Sequence, residues 1–348
     1  MQLFDEHQRI VICHEPAVGL RAIIAVHNTV LGPGLGGIRM WPFESDEAAL
    51  TDVLRLSRGM TYKNSLAGLP LGGGKTVVIG DSRTQKTPEL FRALGRVIDA
   101  LGGLYLAAED VGTTTQDATE VARETRYITG LPQEVGGSGD PSPMTAWGVF
   151  VGMRAALREA GLDPSFAGVS VVVQGAGHVG AILTRHLLAA GAKVTVADIH
   201  ADRVEALRAA GAEVADPDGL HAHACDIFSP CALGAVVRPD TIDGFRCRVI
   251  AGAANNQLLD SEMGDALAAR GIVYAPDFAI NAGGVINIGE ELGKPYDAAR
   301  AEVAVGQIEH SLERVFAHAR EAGIAPHQAA ERLAQQRIDQ AEADVPTP

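Results

Sequence analysis

VSVVVQGAGHVG, residues 169–180, decides the architecture of this chain. Val169 to Val173 is a nearly unbroken β-branched run, the composition of a strand buried on both faces. It leads into Gly175-Ala176-Gly177-His178-Val179-Gly180, a GxGxxG pattern, and then into helical spacing over 181–190. In this pattern Gly175 permits the tight turn, Gly177 lets backbone approach a pyrophosphate, and Gly180 allows close packing of helix on strand. The helix start adds unpaired N–H groups and the positive end of its dipole. A lone GxGxxG is weak, but here a second strand-like run, 193–197, ends in Asp198. That is about the 20-residue separation expected of the acid that binds a ribose. A carboxylate there accepts hydrogen bonds from ribose hydroxyls and repels a 2′-phosphate, so the expected cofactor is NAD rather than NADP. Arg203, close by in sequence, is the one feature that favours a 2′-phosphate.

Strand–turn–helix units continue after this motif: AKVTVADIH (192–200), CDIFSPCA (225–232), CRVIAGAAN (247–255) and GIVYAPDFAI (271–280). Such alternation implies right-handed crossovers and a parallel sheet. Before it, TGLPQEVGGSGDPSP (129–143) has no apolar period and reads as a loop or hinge. Further upstream the character is mixed. A strand is expected over 20–27, a Gly-rich turn over 32–37, a helix over 46–60, a short strand over 76–79, and a helix over 87–101 with Pro88 near its start. At 348 residues the chain exceeds what one core usually serves. The expected fold class is therefore α/β in two domains. A mixed α/β substrate domain spans 1–138, with a C-terminal helix over 326–348 packing back on it. A doubly wound Rossmann NAD-binding domain spans 139–325.

Composition narrows the partners. A net charge of -14 argues against nucleic acid, which needs a basic footprint. No apolar run approaches the roughly 18 residues of a membrane span. The four cysteines form no CxxC pair, and no signal peptide is evident, so free thiols in a reducing cytoplasm are expected. His221, His223 and Cys225 alternate, but no second ligand pair stands nearby at zinc-like spacing, and no metal is expected.

The N-terminal half carries the titratable groups. GLPLGGGKT (68–76) resembles a phosphate-binding loop but has Leu69 where glycine is required, and a strand rather than a helix follows. Lys63 and Lys75 lie close in sequence, and a lysine in a closed cleft suits acid–base work near neutrality. Glu109-Asp110 follows the strand-like Tyr105 to Ala108 and precedes Gly112, a reasonable place for a proton carrier. These residues alone reach a dehydrogenase with a lysine-containing cleft and stop there.

Six segments carry the reading further: LGPGLGGIRMW (31–41), RGMTYKNSLAGLPLGGGKTVVIGD (58–81), AAEDVGTT (107–114), DPSPMTAWGV (140–149), CALGAVV (231–237) and YAPDFAINAGGVIN (274–287). In this order and over nearly the whole chain they resemble the glutamate/leucine/phenylalanine/valine dehydrogenase family, most of all its leucine-acting members. The resemblance implies that Lys63 binds the substrate carboxylate, assisted by the Gly36-Gly37 backbone. It makes Lys75 the lysine that activates water and Asp110 the group that exchanges protons with the substrate nitrogen. Thr145 and Asn256 would contact the nicotinamide side of NAD, and Asn281 the substrate end. Leu35, Ala108, Val285 and Ile288 match the side-chain pocket. None is basic, which disfavours a glutamate substrate because an unpaired buried carboxylate is costly. The implied reaction is reversible oxidative deamination of a branched-chain L-amino acid, leucine with isoleucine and valine, to its 2-oxo acid and ammonium. Phenylalanine or valine dehydrogenase is the alternative within the family, and a non-catalytic NAD-binding regulator the alternative outside it. The resemblance also implies a homo-oligomer and domain closure that excludes water. Asp140, Ala176 and His178 depart from the usual leucine-type pattern, in the hinge and the cofactor loop.

Overall fold

The computed structural model describes residues 6–232 and 234–344, so the last residues of the expected C-terminal helix, 345–348, lie outside them. The chain divides into two compact units, one of residues 1–140, 288–298 and 334–348, the other of 141–287 and 299–333.

The first unit is built on a five-stranded sheet of β1 (Arg9–Glu15), β2 (Leu20–Asn28), β3 (Gly34–Trp41), β4 (Gly72–Ile79) and β5 (Tyr105–Glu109), in the order β1-β2-β4-β3-β5. β1, β2 and β4 pair antiparallel, whereas β3 runs parallel to both β4 and β5. Strand alternation assigns the two faces. Ile23 and Ala25 of β2 and Val77 of β4 pack on Ala49, Val53 and Leu54 of helix α1 (Asp46–Leu66). The alternate residues Ala22, Ile24, Ile38, Met40, Val78, Tyr105 and Ala107 meet α2 (Pro88–Asp99) and α3 (Thr115–Ala122) on the other side. Each helix starts at a side-chain cap, Ser45, Thr87 and Thr114.

Two expectations are corrected here. Gly34 to Gly37 do not form a turn but the first half of β3, and the 46–60 helix continues to Leu66, carrying Lys63 in its last turn. Low β propensity hides the glycines in the sequence; what places them in the sheet is the close approach of neighbouring chains described below.

The second unit holds a six-stranded, wholly parallel sheet: β6 (Ser170–Gln174), β7 (Lys193–Ala197), β8 (Glu213–Val214), β9 (Ile227–Pro230), β10 (Val249–Ile250) and β11 (Val273–Tyr274). Their order, β11-β10-β9-β6-β7-β8, is the doubly wound one, with its switch point between β6 and β9. The remaining helices are α4 (Ser142–Glu159), α5 (His178–Ala189), α6 (Ala201–Ala209), α7 (Ser261–Ala269), α8 (Asp277–Ile280), α9 (Gly283–Gly289), α10 (Ala298–Gly306), α11 (Ile308–Ala322) and α12 (Pro326–Ala343). Val172, Phe228, Ile250 and Tyr274 from four neighbouring strands share a core with Leu267 of α7. Helix α5 begins at His178, inside the glycine motif, rather than at residue 181. The end of α12 groups with the first unit. There Arg337 donates to the carbonyls of Ser65 and Gly68, and the Ser65 hydroxyl donates to the Ala334 carbonyl.

Candidate active site

In the first unit, strand parity collects the titratable residues on the α1 side of the sheet. Lys75 shares the face of Val77, and Gly37 and Arg39 share a face two residues apart on β3. Ala108 and Asp110 follow the same alternation out of β5. Lys75, only 6% exposed, places Nζ 2.7 Å from Asp110 Oδ2. The Arg39 guanidinium donates from Nε to the same oxygen at 3.3 Å and from Nη1 to Asp52 Oδ2 of α1 at 3.0 Å.

Asp110 is fixed by the turn that follows it. Its backbone N–H donates to the Thr113 hydroxyl at 2.9 Å, and that hydroxyl donates to the Ile38 carbonyl at 2.8 Å. The Thr113 N–H closes the turn on the Asp110 carbonyl, and the Met40 N–H ties Val111 to β3. Gly112 is left-handed at φ 83, and a β-carbon there would collide with the Met40 carbonyl oxygen, so glycine is required. Burial would raise the carboxyl of Asp110, but Lys75 and Arg39 outweigh it and hold it down at about 2. Its neighbour Glu109 goes the other way. Half-buried and facing Asp140, Asp117 and Asp110, with only Lys86 opposing them, it is pushed up to about 7.

Gly36 and Gly37 lie between these groups. Gly37 is paired with Ala108, and a β-carbon on it would approach the Asp110 β-carbon to 2.5 Å. The pairing of β3 with β4 lapses between Leu35↔Gly73 and Ile38↔Thr76, opposite Gly74 and Lys75. Behind the lapse the buried Tyr105 hydroxyl donates to the Gly36 carbonyl at 2.6 Å and accepts from Thr76 Oγ1 at 3.1 Å. This fixes the plane of the Gly36–Gly37 peptide. The glycines of β4 are explained by crowding rather than by phosphate. A side chain at Gly73 would strike Thr61 of α1, and one at Gly74 would come within 2.6 Å of the Tyr105 ring. Close contact of α1 with β4 is sealed by Asn64 Nδ2, which donates to the Gly72 carbonyl at 2.6 Å. Lys63, half-buried in the last turn of α1, follows Asp52 and Met60 along the stripe set by i+4 and i+3 spacing. Leu35 and Ala108 are buried beside this cluster in β3 and β5, and Ile288 is buried in the 288–298 segment of the same unit.

In the second unit the glycine loop follows β6 at the switch point. Gly175 has φ 104, and a β-carbon on it would sit 2.8 Å from the Ala232 β-carbon beyond β9. At Gly180 a side chain would strike the Gly175 carbonyl oxygen, whereas at Gly177 it would meet nothing within 4 Å. The space over the loop is thus open, and α5 starts at Gly177 with no side-chain cap. Its first N–H groups, from His178 and Val179 onward, suit a phosphate. Asp198 accepts from the Ala176 N–H at 2.7 Å and from the His200 N–H at 2.8 Å, with Arg203 3.8 Å away. Burial alone would raise its carboxyl; the two N–H groups and Arg203 prevail and lower it. An ionised acid is therefore locked beside the glycine loop, and the residues fit a dinucleotide.

The remaining expected residues of this unit stand on their own elements. Thr145, in the first turn of α4, bonds the Pro141 carbonyl through both N–H and hydroxyl, and Gly284 packs on its hydroxyl, placing Val285 beside it in sequence. Asn256 is left-handed at φ 52, and its carbonyl accepts from the Ala235 N–H. Asn281 donates from Nδ2 to Asn255 Oδ1 at 2.7 Å and to the Ala253 carbonyl at 3.1 Å, and its own Oδ1 is buried with no partner among the described residues. A buried, unmet acceptor is an invitation to a ligand N–H.

Sequence reading missed Arg39, Asp52, Tyr105, Thr113 and Asn255. Arg39 had a signal, since period-2 spacing from Gly37 puts both on one face; Asp52 had none.

Models of protein families match nearly the whole chain. The Glu/Leu/Phe/Val dehydrogenase dimerisation domain matches residues 7–127, and the glutamate/leucine/phenylalanine/valine dehydrogenase domain matches 136–205 and 195–345. The chain is 50% identical to the leucine dehydrogenase of Thermoactinomyces intermedius over 345 residues, 97% of this chain and 94% of that protein. It is 45% identical to the valine dehydrogenase of Streptomyces coelicolor over 339 residues, 96% and 93% of the two chains. The crystal structure of L-tryptophan dehydrogenase from Nostoc punctiforme superposes with a TM-score of 0.83 at 40% identity, covering 98% of each chain.

Proposed function

The chain belongs to the Glu/Leu/Phe/Val dehydrogenase family, and from that premise we propose that it deaminates a branched-chain L-amino acid, leucine first, using NAD⁺. It is an amino acid dehydrogenase: amino acid, water and NAD⁺ give 2-oxo acid, ammonium, NADH and a proton. The observation that carries the assignment of roles is the buried Lys75–Asp110 pair at 2.7 Å beside the Gly36–Gly37 peptide. NAD⁺, held by Gly175 to Gly180 and Asp198, supplies the hydride acceptor. Lys63 and the Gly37 N–H receive the substrate carboxylate, which turns the α-hydrogen and nitrogen toward fixed groups. Asp110, ionised at rest, takes a proton from the substrate ammonium, and loss of hydride from the α-carbon of the resulting amine leaves an iminium. Lys75 takes a proton from the water that adds to it; Asp110 then returns the proton it took to the nitrogen, ammonia leaves the carbinolamine, and the hydroxyl proton passes back to Asp110 as the carbonyl forms. At 2.7 Å a proton can pass between Lys75 and Asp110, so one pair serves these transfers.

None of Leu35, Ala108, Val285 and Ile288 is itself basic, which supports an apolar side chain over glutamate. One methylene is worth only about 1–3 kcal/mol in such a pocket, so isoleucine and valine are expected to turn over as well. The ionised Asp198 supports NAD⁺ over NADP⁺. Among the described residues no helix is long and apolar enough to cross a membrane. A homo-oligomer formed through the 7–127 domain is part of this reading, and light scattering on the purified chain tests it.

The enzymatic test is the initial rate of NADH formation with leucine, isoleucine, valine, phenylalanine and glutamate, for wild type and Lys75→Ala. Preference for a branched-chain substrate, lost in the variant, is expected. Preference for phenylalanine would overturn the pocket assignment. Binding of NAD⁺ without turnover of any amino acid would overturn the enzymatic reading.

A further inference from the structure

We infer that Arg39, anchored by Asp52, is a positioning residue of the reaction: it pins Oδ2 of Asp110 and so turns the other carboxylate oxygen, Oδ1, to the substrate nitrogen. This rests on the proposed role of Asp110. Both Lys75 and Arg39 make their nearest approach to the same oxygen, at 2.7 and 3.3 Å, rather than sharing the two oxygens between them. A carboxylate held at one oxygen by one flexible ammonium keeps its freedom to rotate. Held there by a second donor of fixed direction, it does not. The guanidinium is suited to this because its planar fork reaches two carboxylates at once, Asp110 beyond β5 and Asp52 on α1, and an ammonium has no such fixed geometry.

The surroundings favour the same arrangement. Arg39 and Asp110 are largely withdrawn from water, with side chains 18% and 19% exposed, so their pairing escapes most screening. Asp52 balances the charge of Arg39 and fixes its orientation from the helix side. Among the described residues, the charged and titratable groups near Asp110 include Lys75 from β4, Arg39 from β3, Asp52 behind Arg39, and Glu109 and Tyr105 from β5. Of these only Lys75 and Arg39 touch its carboxylate. Arg39 touches none of the transferred protons in this scheme; it acts through the geometry of Asp110.

The test uses the full chain with Arg39→Met, Arg39→Lys, Asp52→Asn and Asp110→Asn. It measures kcat and KM for leucine, the solvent deuterium isotope effect on kcat, and thermal melting with and without NAD⁺. Arg39→Met is expected to lower kcat roughly 10–100-fold, the scale of a misplaced catalytic group. KM should stay within about threefold and the isotope effect should rise, because the proton step at Asp110 becomes slower. Arg39→Lys keeps the charge and should recover part of kcat, and Asp52→Asn should lose a few-fold in the same direction. Wild-type kcat and isotope effect in Arg39→Met would overturn the inference. Should that variant fail to melt cooperatively, Asp52→Asn decides, and an unchanged kcat there overturns it equally. Asp110→Asn separates the two levels. If it keeps wild-type turnover, the proposed role of Asp110 fails; if it is inactive while Arg39→Met is unaffected, only the present inference fails.

Discussion

Two adjacent carboxylates at the end of β5, Glu109 and Asp110, sit on opposite sides of their ordinary acidity, about 7 against about 2. Burial raises both; two cations touch Asp110 and overcome it, whereas Glu109 faces mostly acids, which add to it. The sign of the consequence follows by linkage. A folded value raised above the ordinary 4.5 means that folding loses stability as pH climbs from about 4.5 through about 7. Glu109→Gln, which mimics the neutral acid, is therefore expected to melt like wild type near pH 4 and at higher temperature than wild type at pH 9, read by thermal unfolding at both. For Asp110 the folded value is depressed, so its stabilisation is present above the ordinary 3.8 and drains away as pH falls toward about 2. Asp198 governs a different choice. Asp198→Ala removes the acid beside the loop and leaves Arg203, so the ratio of kcat/KM for NAD⁺ over NADP⁺ should fall tenfold or more. An unchanged ratio would show that Asp198 does not discriminate.

At the scale of elements, β4 and α1 explain what could be read in advance. The parallel sheet of the second unit was legible because each strand is a compact apolar run followed by a turn and a helix; the pattern lies within short stretches of chain. Family motifs singled out Lys75, Asp110 and Lys63, and the first two do meet in the structure. The strand identity of Gly34–Gly37 and Gly72–Gly74 was not, because nothing in a glycine run shows that Thr61, Tyr105 and a neighbouring carbonyl will press on it from elsewhere in the chain. Asp52 was equally silent, since a solvent-side and an Arg39-side acid look alike on a helix. The glycines give a paired prediction. Gly73→Ala must push α1 off β4 and should cost roughly 1–3 kcal/mol or more, with loss of turnover. Gly59→Ala, on the same helix with open space around it, should gain roughly 0.5–1 kcal/mol. Melting temperatures of the two variants moving in the same direction would contradict the packing assigned to β4.

For the whole molecule, the proposed function divides the chemistry between the two units, acid–base groups in one and the dinucleotide loop in the other. NAD⁺ at about 100 times its dissociation constant should add about 2.7 kcal/mol to the stability of whatever folds with that loop. Amide exchange is then expected to slow first at 174–180 and 198–200, ahead of the strands of the first sheet. Protection appearing first around β4 and β5 would contradict the cofactor site. The membership of the units also has a consequence for how the protein is made. The carbonyls at the end of α1, the helix that bears Lys63, are received by Arg337, and Ser65 is matched with Ala334. A ribosome therefore releases β1 to β5 and α1 long before it has synthesised the residues that close that helix end. The nascent enzyme must wait, with its lysine-bearing helix unfinished, until residues 334–337 have been made. Chains broken off before residue 334 would thus carry both sheets and an incomplete α1, a natural point for quality control to recognise them.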